Sequence, residues 1–163
     1  MTDADFMARA IELSARALIE PGLAPYGAVV VRDGRIVGEG VNRSIADLDP
    51  TSHGETEAIR DACRNLGTTD LAGTTLYTSC EPCPLCVAAM LIAGVERMVY
   101  ALSAEERGQI LAPLRGGDGS RVDIARMRAQ TGLPAGRRDM PDEQLMSEAA
   151  AEVMARWGAA RAG

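Results

Sequence analysis

The chain contains no lysine; all 17 of its basic residues are arginine. That excludes a Schiff-base lysine and the lysine of a P-loop, so the glycine-rich stretch RGGDGS (115–120) reads as a flexible loop and not a phosphate cradle. No serine stands in a G-x-S-x-G elbow, which removes that route to a nucleophilic hydroxyl. Aromatic residues are scarce: Phe6, Tyr26, Tyr77, Tyr100 and Trp157 offer few stacking platforms for single-stranded nucleic acid. The net charge of −6 repels a phosphate backbone over most of the surface, so nucleic acid is a disfavoured partner. Residues 121–138 run against that trend, with Arg121, Arg126, Arg128, Arg137 and Arg138 against Asp123. A solvated loop face is the preferred reading of that run, and contact with a phosphate-bearing substrate the lesser one. No apolar stretch nears the ~20 residues that span a bilayer, so no membrane partner is expected. The N-terminal segment MTDADFMARAIELSARAL breaks its apolar residues with Arg9, Glu12 and Arg16, which reads as an amphipathic helix and not a secretory signal; the expected location is cytoplasmic.

What remains is enough for one domain of 163 residues with a substantial core. Residues 3–20 read as a helix, with Thr2 and Asp5 placed as a capping box. YGAVVVRDGRIVGEGV reads as a hairpin turned at Asp33-Gly34. A helix over about 53–67 follows, capped by Ser52 or Thr51 and stopped by Gly67. GTTLYTS (73–79) is a strand. CEPCPLCVAAMLIAGV turns into a helix with Pro84 in its first turn and Gly94 past its end. RMVYAL (97–102) is a fourth strand, and 104–114 a short helix. SRVDIARM (120–127) is read as a fifth strand or an irregular edge. Pro141 opens a last helix, about 141–159, where Leu145, Ala149, Val153 and Trp157 repeat every four residues. The expected fold is three-layer α/β/α with a central mixed sheet of about five strands. The last helix is expected to pack over the active site or to be exchanged in a dimer.

The chemistry concentrates on few residues. His53 is the single histidine, and Glu55 follows two positions later. Cys83 and Cys86 stand i, i+3, so on a helix they project to one side. Both fall at a helix start, where the macrodipole favours thiolates. His53 also falls at a helix start. One imidazole and two thiolates meeting at a point would suit a zinc ion with its fourth position open to water. Glu55, two residues from His53, is then a proton carrier beside that position and not a ligand. H-x-E alone, or C-x-x-C alone, says little: C-x-x-C also serves dithiol redox chemistry. H-x-E followed by P-C-x-x-C is the zinc deaminase signature. A non-catalytic zinc module stays open as the other class, with Cys80 as a fourth ligand at i, i+3 from Cys83. Cys63 reads as a buried thiol on the 53–67 helix.

At PYGAVVV, VGEGVN, DPTSHGETEAIR, LYTSCEPCPLC and VERMVYAL, from about Pro25 to Leu102, the sequence resembles the cytidine deaminase-like superfamily in its nucleobase and tRNA-editing branch. TSCEPCPLC looks most like guanine deaminases. HGE, where those typically have HAE, is closer to fungal-type cytosine deaminase. The resemblance implies that His53, Cys83 and Cys86 bind Zn²⁺ and that Glu55 shuttles protons. It implies that Asn42 binds the substrate ring through its amide, that Tyr26 packs near the ring, and that the backbone of Gly54 lines the pocket. Trp157 resembles the C-terminal aromatics that close guanine deaminase sites, against its alternative as a core residue of an amphipathic helix. The expected reaction is hydrolytic deamination of a small-molecule, guanine-type base or related N-heterocycle. The alternatives are a cytosine-type pyrimidine, then adenosine in tRNA. A homodimer is expected from the same likeness. One departure stands out: no acid after the fourth strand aligns with one that would recognise guanine, and Glu105, Glu106 and Asp118 are only candidates.

Overall fold

The structure, a computed structural model, describes residues 1–114 and 123–161. The chain divides into two compact units, residues 1–122 and 123–163. The 115–120 glycine-rich loop, Asp118 and Arg121 lie outside the described residues.

In the first unit, helix α1 (Asp3–Ala15) begins on the expected box: Thr2 Oγ1 accepts the N–H of Asp5 and the Asp5 carboxylate accepts the N–H of Thr2. A 3₁₀ turn (Arg16–Leu18) ends it. Strands β1 (Ala24–Arg32) and β2 (Arg35–Asn42) form the hairpin, with Asp33 and Gly34 both at positive φ (52° and 71°), as its two-residue turn requires. Helix α2 (Gly54–Leu66) stops at Gly67 in the left-handed region. Then come β3 (Thr75–Cys80), α3 (Pro84–Ala93), β4 (Arg97–Leu102) and α4 (Ala104–Leu111).

The sheet order is β2-β1-β3-β4, with β1 antiparallel to both its neighbours and β3 parallel to β4. As an inner strand, β1 is buried on both faces. Ala28 and Val30 join Ala58, Ile59 and Ala62 of α2 and Met90 of α3. Val29 and Val31 join Phe6 and Leu13 of α1 on the other side. Helices thus cover both faces of one mixed sheet, the expected three layers. Tyr77 fixes α1 across the sheet: its hydroxyl donates to Asp3 Oδ1 at 2.7 Å, and Arg97 holds Asp3 Oδ2 at 2.6 Å.

Two glycines on β2 set the depth of α2. A Cβ at Gly40 would fall 2.2 Å from the carbonyl oxygen of Gly54, and one at Gly38 would fall 2.4 Å from that of Ala58. Only a missing side chain lets the helix lie this close to the strand.

Three sequence expectations need correction. The sheet has four strands among the described residues, not about five: Asp123 accepts the N–H of Arg126 and starts α5 (Ile124–Thr131), so a capping side chain turns this segment helical. Residues 120–122 of that expected strand lie outside the described residues. The last helix, α6 (Ser147–Ala159), begins six residues after Pro141, because Met146 at φ 58° breaks the helical path just before it. Neither Ser52 nor Thr51 caps α2. Asp49 recruits both hydroxyls, and His53 takes the cap position.

In the second unit, Arg126 pairs with Asp139 at 3.3 Å and Arg138 donates to the carbonyl of Leu133, in keeping with a solvated basic face. Trp157 is 55% exposed, with the Arg161 guanidinium 4.0 Å from its ring centroid. Within its unit it is therefore not a core residue. Among the described residues no helix is long and apolar enough to cross a membrane.

Candidate metal centre and active site

His53 is the N-cap residue of α2 and Cys83 the N-cap residue of α3, with Pro84 opening that helix. Neither side chain caps its own helix, so both are free to point elsewhere. They point at each other. His53 Nδ1 lies 3.5 Å from Cys83 Sγ and 3.4 Å from Cys86 Sγ, and the two sulfurs are 3.7 Å apart.

These separations test whether a metal fits. Zn–S bonds of about 2.3 Å and a Zn–N bond of about 2.0 Å at tetrahedral angles put the sulfurs about 3.8 Å apart and the nitrogen about 3.5 Å from each. The observed triangle matches that face of a tetrahedron, and its nitrogen and sulfur donors are the ones zinc prefers. Binding through Nδ1 requires the tautomer that carries its proton on Nε2. Among the described residues the donor cluster is His53, Cys83 and Cys86 and does not include Cys80, as a closed four-ligand module would require. All four cysteines are free thiols; Cys80 is buried and Cys63 half-buried against the α2–α3 core.

The electrostatics suit a cation. Cys83 is pushed down to about 4, first by its hydrogen bond with Cys86, then by His53. Cys86 is raised, first by that same bond to Cys83 and next by burial. The opposite shifts share one cause, the hydrogen bond between the two thiols, and a metal bound there would take the place of their protons. The pKa of His53 is raised, chiefly by its bond to Cys83.

Glu55, in the first turn of α2, is 5% exposed. Burial raises its carboxyl, while a hydrogen bond to the Cys86 thiol pulls the other way. It thus lies against a sulfur of the triangle without belonging to the donor set. A desolvated carboxyl with a raised pKa holds a proton more readily than a free one and can pass it on.

Asn42, at the end of β2, is buried. Its Oδ1 accepts from Ser44 N at 3.1 Å and Ser44 Oγ at 2.9 Å, which orients the amide and leaves its NH₂ without a partner among the described residues. Arg43 N donates to Ser52 O at 2.9 Å, tying the end of β2 to the residue before His53. Gly54 is buried against β1: a Cβ there would stand 2.5 Å from the carbonyl oxygen of Tyr26. Tyr26 is half-buried at the start of β1. Trp157 belongs to the second unit. Of the acids considered after β4, Glu106 is committed to the capping box of α4 with Ser103, and Glu105 is exposed beside Gln109.

Two neighbours escaped the sequence reading. Ser44 orients Asn42; its position two residues on is the spacing of an Asx turn, a usable signal. Glu81 donates its N–H to Leu102 O at 2.7 Å and accepts the N–H of Ala104 at 2.8 Å through its carboxylate, joining the Cys83 loop to α4. No local pattern announces that long-range bond.

Comparison with known proteins agrees with this geometry. The sequence profile of the cytidine and deoxycytidylate deaminase zinc-binding region matches residues 1–102. The guanine deaminase of Bacillus subtilis is 43% identical over 101 residues, 62% of this chain and 65% of that protein. The tRNA-specific adenosine deaminase of Haemophilus influenzae is 40% identical over 109 residues, 66% of this chain and 62% of that protein. The chain thus matches somewhat less than two thirds of the length of each. The X-ray structure of the Bacillus subtilis guanine deaminase superposes with a TM-score of 0.81 at 32% identity, covering 97% of this chain and 95% of that one.

Proposed function

This chain belongs to the cytidine and deoxycytidylate deaminase zinc-binding family, and from that premise we propose that it is a zinc-dependent hydrolytic deaminase of a guanine-type base or related N-heterocycle. The observation that carries the reading is the His53–Cys83–Cys86 triangle with a buried Glu55 against its edge. The likeness to guanine deaminase supports the choice of base.

His53 Nδ1 and the sulfurs of Cys83 and Cys86 would hold the zinc. Bound there, zinc supplies a Lewis acid that makes water a nucleophile near neutral pH. Glu55 takes a proton from the attacking water and passes it to the ring nitrogen beside the reacting carbon; it then takes the second proton from the hydroxyl now on that carbon and delivers it to the departing amine. A C–O bond forms, the C–N bond breaks, and ammonia leaves with a carbonyl remaining. Asn42 turns its free NH₂ toward acceptors on the ring, and Tyr26 and the Gly54 backbone wall the pocket. Trp157 remains a candidate substrate contact. It is 55% exposed within its unit and carries the Arg161 guanidinium on one face of its ring.

A second reading, deamination of adenosine in tRNA, is favoured by the Haemophilus influenzae relative and opposed by the net charge of −6. A homodimer and a cytoplasmic location belong to the proposal: α3 exposes Val87, Leu91 and Ile92, and four free thiols suit a reducing compartment. The experiment is ammonia release from guanine, cytosine, isocytosine, adenine, their nucleosides and aminotriazines. Release from guanine above all others is the expected result. Release from none of them overturns the reading.

A further inference from the structure

Beside Tyr26 lies a cavity of about 470 Å³ with largely apolar walls, among them Cys80, Leu102, Ile110 and Leu111. One charge faces it. Arg107, on α4, lines the cavity, and its Nε is buried with no hydrogen-bond partner. Among the described residues the Arg107 guanidinium makes no ion pair. The two acids nearest in sequence leave it alone: Glu106 serves the cap of α4 and Glu105 pairs with Gln109. A buried guanidinium N–H without an acceptor is rare in a folded protein and costly to leave so.

The cavity adjoins the proposed chemistry. Tyr26, the residue assigned to pack the ring, forms part of its wall. Cys80, another wall residue, ends β3 three residues before Cys83, so the wall runs into the loop that carries the triangle's first sulfur. An acid at this wall would read N–H donors on a substrate. An arginine reads acceptors, with a planar fork that matches a paired oxygen and nitrogen, or a phosphate.

We propose that Arg107 is a specificity-determining residue that receives the acceptor-bearing end of the substrate, away from the amine that leaves. This rests on the deaminase reading above. Two sources supply that chemistry: the oxo group and N7 on one edge of an oxopurine, or the phosphate of a nucleotide.

Calorimetric binding to zinc-loaded Glu55→Gln protein separates them without turnover. One arm compares guanine with 2-aminopurine, which lacks the oxo group. The other compares guanosine 5′-monophosphate with guanosine. In one arm the acceptor-bearing ligand should bind about tenfold tighter or more, and adding Arg107→Gln should bring the ratio to within about twofold. Arg107→Lys should keep a phosphate preference and lose an oxo preference, because it retains charge without the fork. It also stands in if the Gln variant does not fold. A ratio untouched by either substitution, or no preference in either arm, overturns the proposal. Failure of the parent enzyme to release ammonia would instead strike the deaminase reading, and the binding ratios would still judge Arg107.

Discussion

The carboxylate of Glu81 accepts the backbone N–H of Ala104 at 2.8 Å, so the loop that carries Cys83 also holds the first turn of α4. That amide is one of the orphan donors of a helix start, and a carboxylate beside it complements the helix dipole. α4 in turn supplies Arg107, Ile110 and Leu111 to the cavity wall. Glu81→Ala should therefore cost about 1 kcal/mol of stability, as lost caps do. It should raise KM more than it lowers kcat and leave zinc content at one per chain. Glu81→Gln, which can still accept through its amide oxygen, should recover most of the KM. Steady-state kinetics with metal analysis checks this, and a KM equal to the parent's in both variants would refute it.

The triangle predicts that metal and fold are linked. His53 comes from the start of α2 and the cysteines from the start of α3, so an ion between them joins two helices otherwise packed through side chains such as Ala62 and Met90. Metal present at about a thousand times its Kd stabilises by about 4 kcal/mol. Chelation should lower the melting temperature by roughly 10 °C. In Cys83→Ala the melting temperature should already be low and should not respond to chelator. Calorimetry with and without chelator measures both.

Gly40 predicts a packing failure with a functional consequence. Its missing Cβ makes room for the carbonyl oxygen of Gly54, 2.2 Å from where that carbon would sit, and for the backbone nitrogen of Ala58 at 2.4 Å, neither of which can swing aside as a side chain could. Gly40→Ala must push the start of α2 away from β2. The expected loss is about 1–3 kcal/mol, with weaker zinc binding because His53 moves with the helix. Denaturant melts and a competitive zinc titration report the two effects separately.

The Arg9–Glu39 pair predicts part of the acid sensitivity. Arg9 Nε and Nη2 donate to the two oxygens of Glu39 at 2.8 Å each, clamping α1 to β2. That bidentate bond holds the Glu39 carboxyl below its ordinary 4.5. A depressed carboxylate contributes stability above its unfolded pKa and loses it as pH falls through the folded value. Glu39→Gln should thus melt below the parent at pH 7, and the difference should shrink as pH drops below about 4.5 toward the lower folded value. A gap that stays constant from pH 7 to pH 3 would show that the ion pair is not the source.

Elements announced by local chemistry were legible from the sequence. The Asp33-Gly34 turn, the Thr2 box, Pro84 and the stops at Gly67 and Gly94 each act within a few residues, and all stand where expected. The three donors were legible because histidine and cysteine are rare here and fall at helix starts. Errors arose where a distant or neighbouring side chain decided. Asp49 took the hydroxyls of Thr51 and Ser52, leaving His53 as the cap. Asp123 turned an apparent strand into α5. The four-residue register that includes Val153 and Trp157 pointed to a buried stripe, yet both are exposed within their unit. Arg107 and Glu81 gave no signal, since their roles come from contacts across the fold.

The most direct test of the central claim is the turnover and zinc content of Glu55→Gln. Glutamine keeps the volume and hydrogen-bonding oxygen of the buried side chain and removes its transferable proton. The account predicts one zinc per chain, an unchanged fold, and ammonia release reduced by about 10²–10⁴-fold, the usual worth of a general acid–base. Turnover within a few-fold of the parent, with zinc in place, would contradict it.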